Sequence, residues 1–156
     1  MSDNDILFHI VLVHPDIPNN TGNIGRLCVA TKCKLHLIHP LGFSLDEKAV
    51  RRAGIDWWKD VSVNEYDDWD SFEKINQQGS YYFFSKFSSQ SYFSINYKQG
   101  DYLIFGSETS GLPEAIKNKY QDSLFRIPMP GEARSLNLAN SASIGIYEGI
   151  RQLNIE

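Results

Sequence analysis

The sequence predicts an α/β fold in which a mainly parallel sheet is flanked by helices. Short apolar runs, rich in β-branched and aromatic residues, alternate with polar segments of helical character along the chain. This alternation is typical of βαβ units, which build parallel sheets. The 156 residues, 42% of them hydrophobic, can bury an ordinary core without disulfide or metal support. We therefore expect residues 1–156 to form a single domain.

The predicted elements follow one another in a regular order. The first strand is predicted at 7–13, where β-branched and apolar residues continue almost to Pro15. The polar segment 16–22 is predicted as a loop. An acidic first turn favours a helix at 68–77, whereas residues 86–100 contain no clear element. Further strands are predicted at 35–38, 81–84, 102–105 and 124–127. Further helices are predicted at 23–32, at 46–52, from 112 onward and at 137–153.

The charges are unevenly distributed, although the net charge is only −4. Residues 26–59 carry seven basic and three acidic side chains, a net charge of +4. Residues 60–76 carry one basic and six acidic side chains, a net charge of −5. An acidic total usually argues against a nucleic-acid partner. Because an electrostatic field depends on local charge, the basic segment keeps such a partner possible, and two solvated helices are the alternative.

The cysteines and the apolar runs predict a cytoplasmic protein with no metal. Cys28 and Cys33 have neither metal-site nor redox-motif spacing, and we interpret them as reduced, buried thiols. His36 and His39 would point to opposite faces of a strand, so the histidines predict no metal site. No apolar run approaches the ~18 residues of a membrane span, and the first residues do not resemble a signal peptide.

Three loops rich in Gly, Pro, Asn and Ser, at 14–22, 106–111 and 128–136, each follow a predicted strand. In open parallel sheets, ligands bind at the carboxyl ends of the strands, so the three loops predict one composite site. Taken alone, each loop also fits a simple structural role. Residues 106–113 can form a turn before a helix, and either Ser135 or Asn137 can cap the last helix.

Other features leave alternatives open. The chain lacks the glycine fingerprint of a dinucleotide site, the phosphate-loop lysine and the nucleophile elbow of a hydrolase. Gly145 and Gly149 lie inside the predicted last helix, where a subunit interface or a self-threaded chain would explain them. Trp57, Trp58 and Trp69 can stack on bases, but packing in the core or at an interface is the favoured interpretation.

The three loops together resemble the signature motifs of the SPOUT RNA methyltransferases. The matching segments, in the order of the motifs, are 20–26, 105–113, and 127–129 with 135–138. The small size and the segments 51–54 and 146–148 resemble the TrmL branch, which methylates the 2′-hydroxyl of the wobble nucleotide, position 34, in leucine tRNAs. The resemblance implies a deep C-terminal trefoil knot, a homodimer, the anticodon stem-loop of tRNA as partner, and no membrane or metal.

The resemblance also implies S-adenosylmethionine as the cofactor and assigns residues to its site. It places a set of mainly apolar and small residues in the cofactor pocket. These are Phe84, Gly106, Glu108, Ile127, Met129, Ser135 and Leu136. Arg26 is implied as the central catalytic residue, supported by Asn20, Glu108, Ser135 and Asn137. Since a guanidinium is not readily deprotonated, we expect Arg26 to orient a phosphate and to stabilise the developing alkoxide.

The resemblance and the basic segment 26–59 together predict a set of RNA contacts outside the cofactor pocket. They are Arg26, Lys48, Arg51, Arg52, Tyr147 and Arg151; for Tyr147 and Arg151, a contact with the second subunit is the alternative. Two alternatives remain open, namely an enzyme of the same fold that acts on rRNA or another tRNA position, and a non-catalytic RNA-binding protein that retains the pocket. In one departure from the family pattern, Gly25 replaces a bulky apolar residue.

Overall fold

A computed structural model describes residues 2–46, 48, 52 and 58–156. The strands are β1 (Phe8–Val13), β2 (Lys34–Ile38), β3 (Val63–Tyr66), β4 (Tyr81–Phe84), β5 (Asp101–Phe105) and β6 (Leu124–Phe125). The helices are α1 (Pro18–Thr31), α2 (Trp69–Ile75), α3 (Glu114–Lys119) and α4 (Leu138–Gln152). One sheet has the order β3-β2-β1-β5-β4-β6, and every neighbouring pair is parallel. The predicted parallel sheet is confirmed, whereas the knot stays a prediction.

The two faces of the sheet are covered by different helices. On β1, Phe8, Ile10 and Leu12 pack into the core that contains α1 and α4. Val11 and Val13 face the opposite side, where the core includes residues of α2 and α3. This alternation follows the two-residue period of a strand, and burial on both faces explains why five of the six residues of β1 are apolar.

Helix α1 begins earlier than predicted. The prediction of a loop at 16–22 is wrong from Pro18 onward, because the helix spans Pro18–Thr31. Proline at the first helical position suits a helix start, since its missing N–H would have no partner there. Asn20, Thr21 and Gly22 are poor helix formers, but they are buried, and their packing outweighs propensity.

The two glycines of α4 pack against aromatic rings of the same chain. A Cβ atom on Gly149 would lie 2.5 Å from the ring of Phe8 and 2.7 Å from that of Tyr97. A Cβ atom on Gly145 would lie 3.1 Å from the tip of Phe84. Close packing against aromatic rings of the same chain therefore explains glycine at 149, without a subunit or threaded interface, whereas position 145 is only tightly packed.

Gly25 has a similar explanation. A Cβ atom there would lie 2.8 Å from the indole ring of Trp58, which packs beside α1. The tryptophan fills the space that a bulky side chain at position 25 would need. Trp69 packs in the other core, against Phe72 and Phe83. The predicted packing role is confirmed for these two tryptophans, whereas Trp57 lies outside the described residues.

Two strands differ from the predictions at the sheet edges. Strand β3 was not predicted, because its half-exposed, polar sequence resembles the acidic segment around it. Strand β6 ends at Phe125, two residues before the predicted end. Beyond it, the backbone N–H of Arg126 donates to the carbonyl of Gln90 at 2.7 Å, so the chain pairs with another segment.

The predictions for the second helix and for the cysteines agree with the structure. Helix α2 lies within the predicted 68–77, and the Asp68 carboxylate caps it by accepting from the N–H of Ser71 at 2.8 Å. Cys28 and Cys33 are free and buried, and burial raises the pKa of both thiols. The helix predicted at 46–52 lies mostly outside the described residues. No helix in the described parts is long and apolar enough to cross a membrane.

Candidate active site

A cleft of about 450 Å³ opens at the carboxyl ends of the central strands. Ile17 and Asn20 at the start of α1, the loop after β5 and the chain after β6 all line it. The three loops therefore meet at one cleft, as predicted, whereas the ligand that it binds stays a prediction. All seven residues predicted for the cofactor also line the cleft, namely Phe84, Gly106, Glu108, Ile127, Met129, Ser135 and Leu136.

Two stacked aromatic rings form an apolar floor. Phe84 at the end of β4 and Phe105 at the end of β5 are paired in register. Their ring centroids are 4.7 Å apart and the rings are nearly parallel, at 15°. Both residues are buried. A floor of this kind suits the flat apolar face of a ligand, while the surrounding loops supply backbone donors and acceptors.

The loop after β5 closes on itself, and this explains its glycines. A Cβ atom on Gly106 would lie 2.2 Å from the carbonyl carbon of Gly111, so only glycine fits. Gly111 has a φ of +69°, a conformation that glycine adopts readily. The Ser107 hydroxyl accepts from the N–H of Ser110 at 2.9 Å. The loop is therefore a compact turn held by its own hydrogen bonds.

Glu108 caps the start of α1 from this distant loop. Its carboxylate accepts hydrogen bonds from the backbone N–H groups of Asp16 at 2.9 Å and Ile17 at 2.8 Å. Helix N-termini carry unpaired N–H groups and a partial positive charge, which a carboxylate satisfies. The Thr109 hydroxyl donates to the Asp16 carboxylate at 2.5 Å and strengthens the same junction. Glu108 therefore fixes one wall of the cleft to another.

Two asparagines extend this connection to the third loop. The Asn20 amide donates to the Glu108 carboxylate at 3.2 Å, and the Asn137 amide donates to the Asn20 carbonyl oxygen at 3.0 Å. Asn137 also caps α4 by accepting from the N–H of Asn140 at 3.1 Å. Of the two predicted caps, Ser135 and Asn137, the structure therefore has Asn137. The hydrogen bonds from Asn137 to Asn20 and from Asn20 to Glu108 join all three loops. We call this pair of hydrogen bonds the amide bridge.

Arg26 lies apart from the cleft. It is six residues after Asn20 on α1, its side chain is exposed, and it is absent from the cleft lining. One copy of the chain therefore brings Asn20, Glu108, Ser135 and Asn137 together without Arg26.

The other predicted RNA-contacting residues, where the structure describes them, are also outside the cleft lining. Lys48 and Arg52 are exposed, and Arg51 lies outside the described residues. On α4, Tyr147 is 52% exposed, and Arg151 makes an ion pair with Glu148 at 2.7 Å. The four side chains that the structure describes, those of Lys48, Arg52, Tyr147 and Arg151, are accessible to a macromolecule.

The cleft also contains residues that the sequence did not predict. Lys86 and Phe87 follow β4, and Lys117 projects from α3 toward them. The only sequence signal was a basic residue beside an aromatic one just after a strand end. Among the described residues, no group of three or more His, Cys, Asp or Glu side chains could hold a metal.

Comparison with known proteins relates this arrangement to RNA methyltransferases. The profile of the SpoU rRNA Methylase family matches residues 7–147. The tRNA (cytidine(34)-2'-O)-methyltransferase of Saccharophagus degradans is 46% identical over 148 residues, which cover 94% of this chain and 96% of that protein.

Solved structures agree with the sequence match. One from work on 2-OH methylation of C/U34 on tRNA superimposes with a TM-score of 0.90 at 40% identity, over 96% of this chain and 97% of that one. The SpoU methyltransferase AviRb of Streptomyces viridochromogenes, in complex with AdoMet, shares the fold with a TM-score of 0.81 at 23% identity, over 97% of this chain and 59% of that one. The resemblance predicted from the three motifs is confirmed, and the chain belongs to the SpoU methylase family.

Proposed function

We propose that this protein transfers a methyl group from S-adenosylmethionine to the ribose 2′-hydroxyl of nucleotide 34 in tRNA, and that leucine tRNAs are its substrates. One observation carries the proposal. The three loops whose sequences resemble the methyltransferase motifs surround one cleft, in a chain that matches a wobble-position methyltransferase over nearly its whole length. The chain acts in the cytoplasm, and the anticodon stem-loop is the part of tRNA that it recognises.

The cleft fits the proposed cofactor. Its volume lies within the range of about 300–1,000 Å³ that is common for small-ligand pockets. The buried rings of Phe84 and Phe105 offer an apolar floor for a purine, and Ile127 and Met129 extend the apolar lining. S-adenosylmethionine supplies a methyl group on a positively charged sulfur, which an oxygen nucleophile can attack in line.

The protein's own task is mainly to position the reactants. The amide bridge fixes the three loops relative to one another, so Gly106, Ser135 and Leu136 are presented as one surface. A fixed orientation of the two reactants lowers the entropic part of the barrier. Glu108 contributes by holding the loops, because its carboxylate already accepts three hydrogen bonds. The trefoil knot implied by the family resemblance would hold the same loops.

Arg26 requires a second copy of the chain in this proposal. Since its exposed side chain does not reach the cleft of its own chain, we assign it to the cleft of the partner in a homodimer. There its guanidinium orients the phosphate next to the target ribose and stabilises the negative charge that develops on the 2′-oxygen. Lys48, Arg51, Arg52, Tyr147 and Arg151 form the surrounding RNA surface.

The experiment that tests the activity is methyl transfer to undermodified tRNA, with the modified nucleotide mapped by nuclease digestion and mass spectrometry. We expect one new 2′-O-methyl group at position 34 of leucine tRNAs. Methylation of rRNA or of another tRNA position would support the alternative substrate. Cofactor and RNA binding without any transfer would identify a non-catalytic binding protein.

The role of Arg26 is tested with variants. Arg26→Ala should lose turnover while it keeps its fold and its cofactor affinity. Lys74→Ala is the matched control, because Lys74 is exposed on α2, which does not line the cleft. Mixing Arg26→Ala with a second variant that cannot bind cofactor should restore part of the activity, since one of the two clefts in a mixed dimer is complete. Full activity of Arg26→Ala would refute its assignment.

A further inference from the structure

Phe87 is an exposed aromatic residue at the edge of the cleft. Its side chain is 78% exposed, the largest value among the large hydrophobic residues that the structure describes. Two cations lie near its ring. Lys86 Nζ is 5.2 Å from the ring centroid, and Lys117 Nζ is 5.5 Å from it. All three residues line the cleft, so an occupant of the cleft can reach them.

The loop that carries Phe87 is firmly held. The backbone N–H of Ser85 donates to the carbonyl of Phe125 at 2.8 Å, and the Ser88 hydroxyl donates to that of Leu124 at 2.5 Å. Farther along, Gln90 accepts from the N–H of Arg126 at 2.7 Å. A loop anchored on both sides of Phe87 holds the backbone of that residue in place. An occupant that stacks on the ring would therefore not have to order the loop first.

The charges around the ring favour a negatively charged occupant. Lys86 makes no ion pair with a described residue, and its charge faces solvent. Lys117 is paired with Glu114 at 2.9 Å, so one of the two positive charges is partly balanced. The surface formed by Lys86, Phe87 and Lys117 therefore keeps a net charge of about +1 around an exposed aromatic face.

A nucleobase with its phosphate matches this combination. Bases stack on exposed aromatic side chains irrespective of sequence, while nearby lysines contact the phosphate backbone. We propose that Phe87, flanked by Lys86 and Lys117, is a stacking platform for a base of the substrate RNA next to the nucleotide whose ribose enters the cleft. This inference rests on the proposed function, because it takes the cleft as the place of methyl transfer.

The adenine of S-adenosylmethionine has the same ring chemistry, but its place is different. The buried rings of Phe84 and Phe105 form the floor of the cleft, whereas Phe87 lies on its open edge. A small cofactor is held by the enclosed floor, and a polynucleotide is held at the accessible edge. Phe87 is thus a positioning residue for the RNA.

The test compares three variants of the full chain. Phe87→Ala removes the ring, Phe87→Tyr keeps a ring of the same shape, and Phe93→Ala is the matched control. Phe93 is 63% exposed in the same part of the chain, but it does not line the cleft. A fluorescently labelled anticodon stem-loop RNA reports RNA affinity by anisotropy, and calorimetry reports the affinity for S-adenosylmethionine.

We expect Phe87→Ala to bind the RNA about tenfold more weakly, while Phe87→Tyr and Phe93→Ala stay within twofold of the wild type. Cofactor affinity should stay within twofold in all three variants. In turnover, KM for tRNA should rise and kcat should change little. Lys86→Gln should reduce the dependence of RNA affinity on salt by about one counterion, as expected for the loss of one phosphate contact.

The platform is overturned if Phe87→Ala binds the RNA as tightly as the wild type. If that variant also loses cofactor affinity, the ring belongs to the cofactor site instead. The proposed function alone is refuted if the wild type binds the RNA but transfers no methyl group. In that case, the RNA affinities of Phe87→Ala and the wild type still decide the role of Phe87. A wild type that binds no RNA overturns both.

Discussion

The clearest test of the site's architecture is the substitution Glu108→Gln. The change keeps the size and shape of the side chain but replaces one carboxylate oxygen with an NH₂ group. In the wild type, both oxygens accept from backbone N–H groups at the start of α1, at 2.9 Å and 2.8 Å. In the variant, the NH₂ group faces a donor, so one backbone N–H loses its partner.

The expected loss of stability follows from these contacts. A hydrogen bond to a charged group contributes about 1.5–3 kcal/mol. The lost negative charge at a helix N-terminus adds about 0.3–1 kcal/mol. Because Glu108 is only partly buried, we take the lower part of the range. The free energy of unfolding should fall by about 2 kcal/mol, and cofactor affinity should fall several-fold because two walls of the cleft are no longer fixed together.

Urea denaturation followed by circular dichroism measures the stability, and calorimetry measures the affinity. Glu132→Gln is the control with the same chemistry. Glu132 is exposed in the loop after β6 and makes no hydrogen bond or ion pair with a described residue. Its variant should stay within about 0.5 kcal/mol of the wild type. The reasoning is refuted if Glu108→Gln is as stable as this control and binds the cofactor equally well.

Three further predictions concern packing, pH and charge. Gly149→Ala should destabilise the fold by about 1–3 kcal/mol, because the added methyl group would lie 2.5 Å from Phe8. Stability should fall as pH drops from about 6.5 toward 4, because burial lowers the pKa of His9 to about 4 and that of His36 to about 2. Both are neutral in the fold, whereas the unfolded chain takes up protons near pH 6.5. Replacing Lys48, Arg51 and Arg52 together with alanine should weaken tRNA binding and its salt dependence.

Each of these predictions has its own control. Gly145→Ala should be close to neutral, since its nearest contact is the tip of Phe84 at 3.1 Å and alanine favours the helix. Equal losses in the two glycine variants would contradict the packing argument. For pH, urea midpoints between pH 7.5 and 5.5 should fall less in His9→Gln than in the wild type. For charge, unchanged tRNA affinity in the triple variant would show that Lys48, Arg51 and Arg52 do not form the tRNA-binding surface.

Much of the fold could be predicted because local patterns and the final packing agree. Strand β4 was predicted with its observed bounds, because a short run of aromatic residues favours a strand that is covered on both faces of a sheet. Helix α1 shows the opposite case. Its start depends on Glu108, which lies about 90 residues away in the chain, and no local rule reveals a cap supplied from that distance.

The candidate site was predictable to the extent that its parts are local motifs. Gly106 and Gly111 indicated a tight turn, and the structure shows why each is glycine. The exposure of Phe87 was not predictable, because it depends on hydrogen bonds between its loop and the chain after β6. The distance of Arg26 from the cleft was likewise hidden, since a motif gives order along the chain and not direction in space.

The amide bridge has a consequence for how the protein is made. It joins Asn20 near the beginning of the chain to Asn137 near the end, 117 residues apart. A nascent chain that has not yet released Asn137 from the ribosome therefore has no complete cleft, however well its earlier strands have paired. Ligand binding is thus acquired only after the segment that carries Asn137 has been synthesised and has docked on the earlier part of the chain.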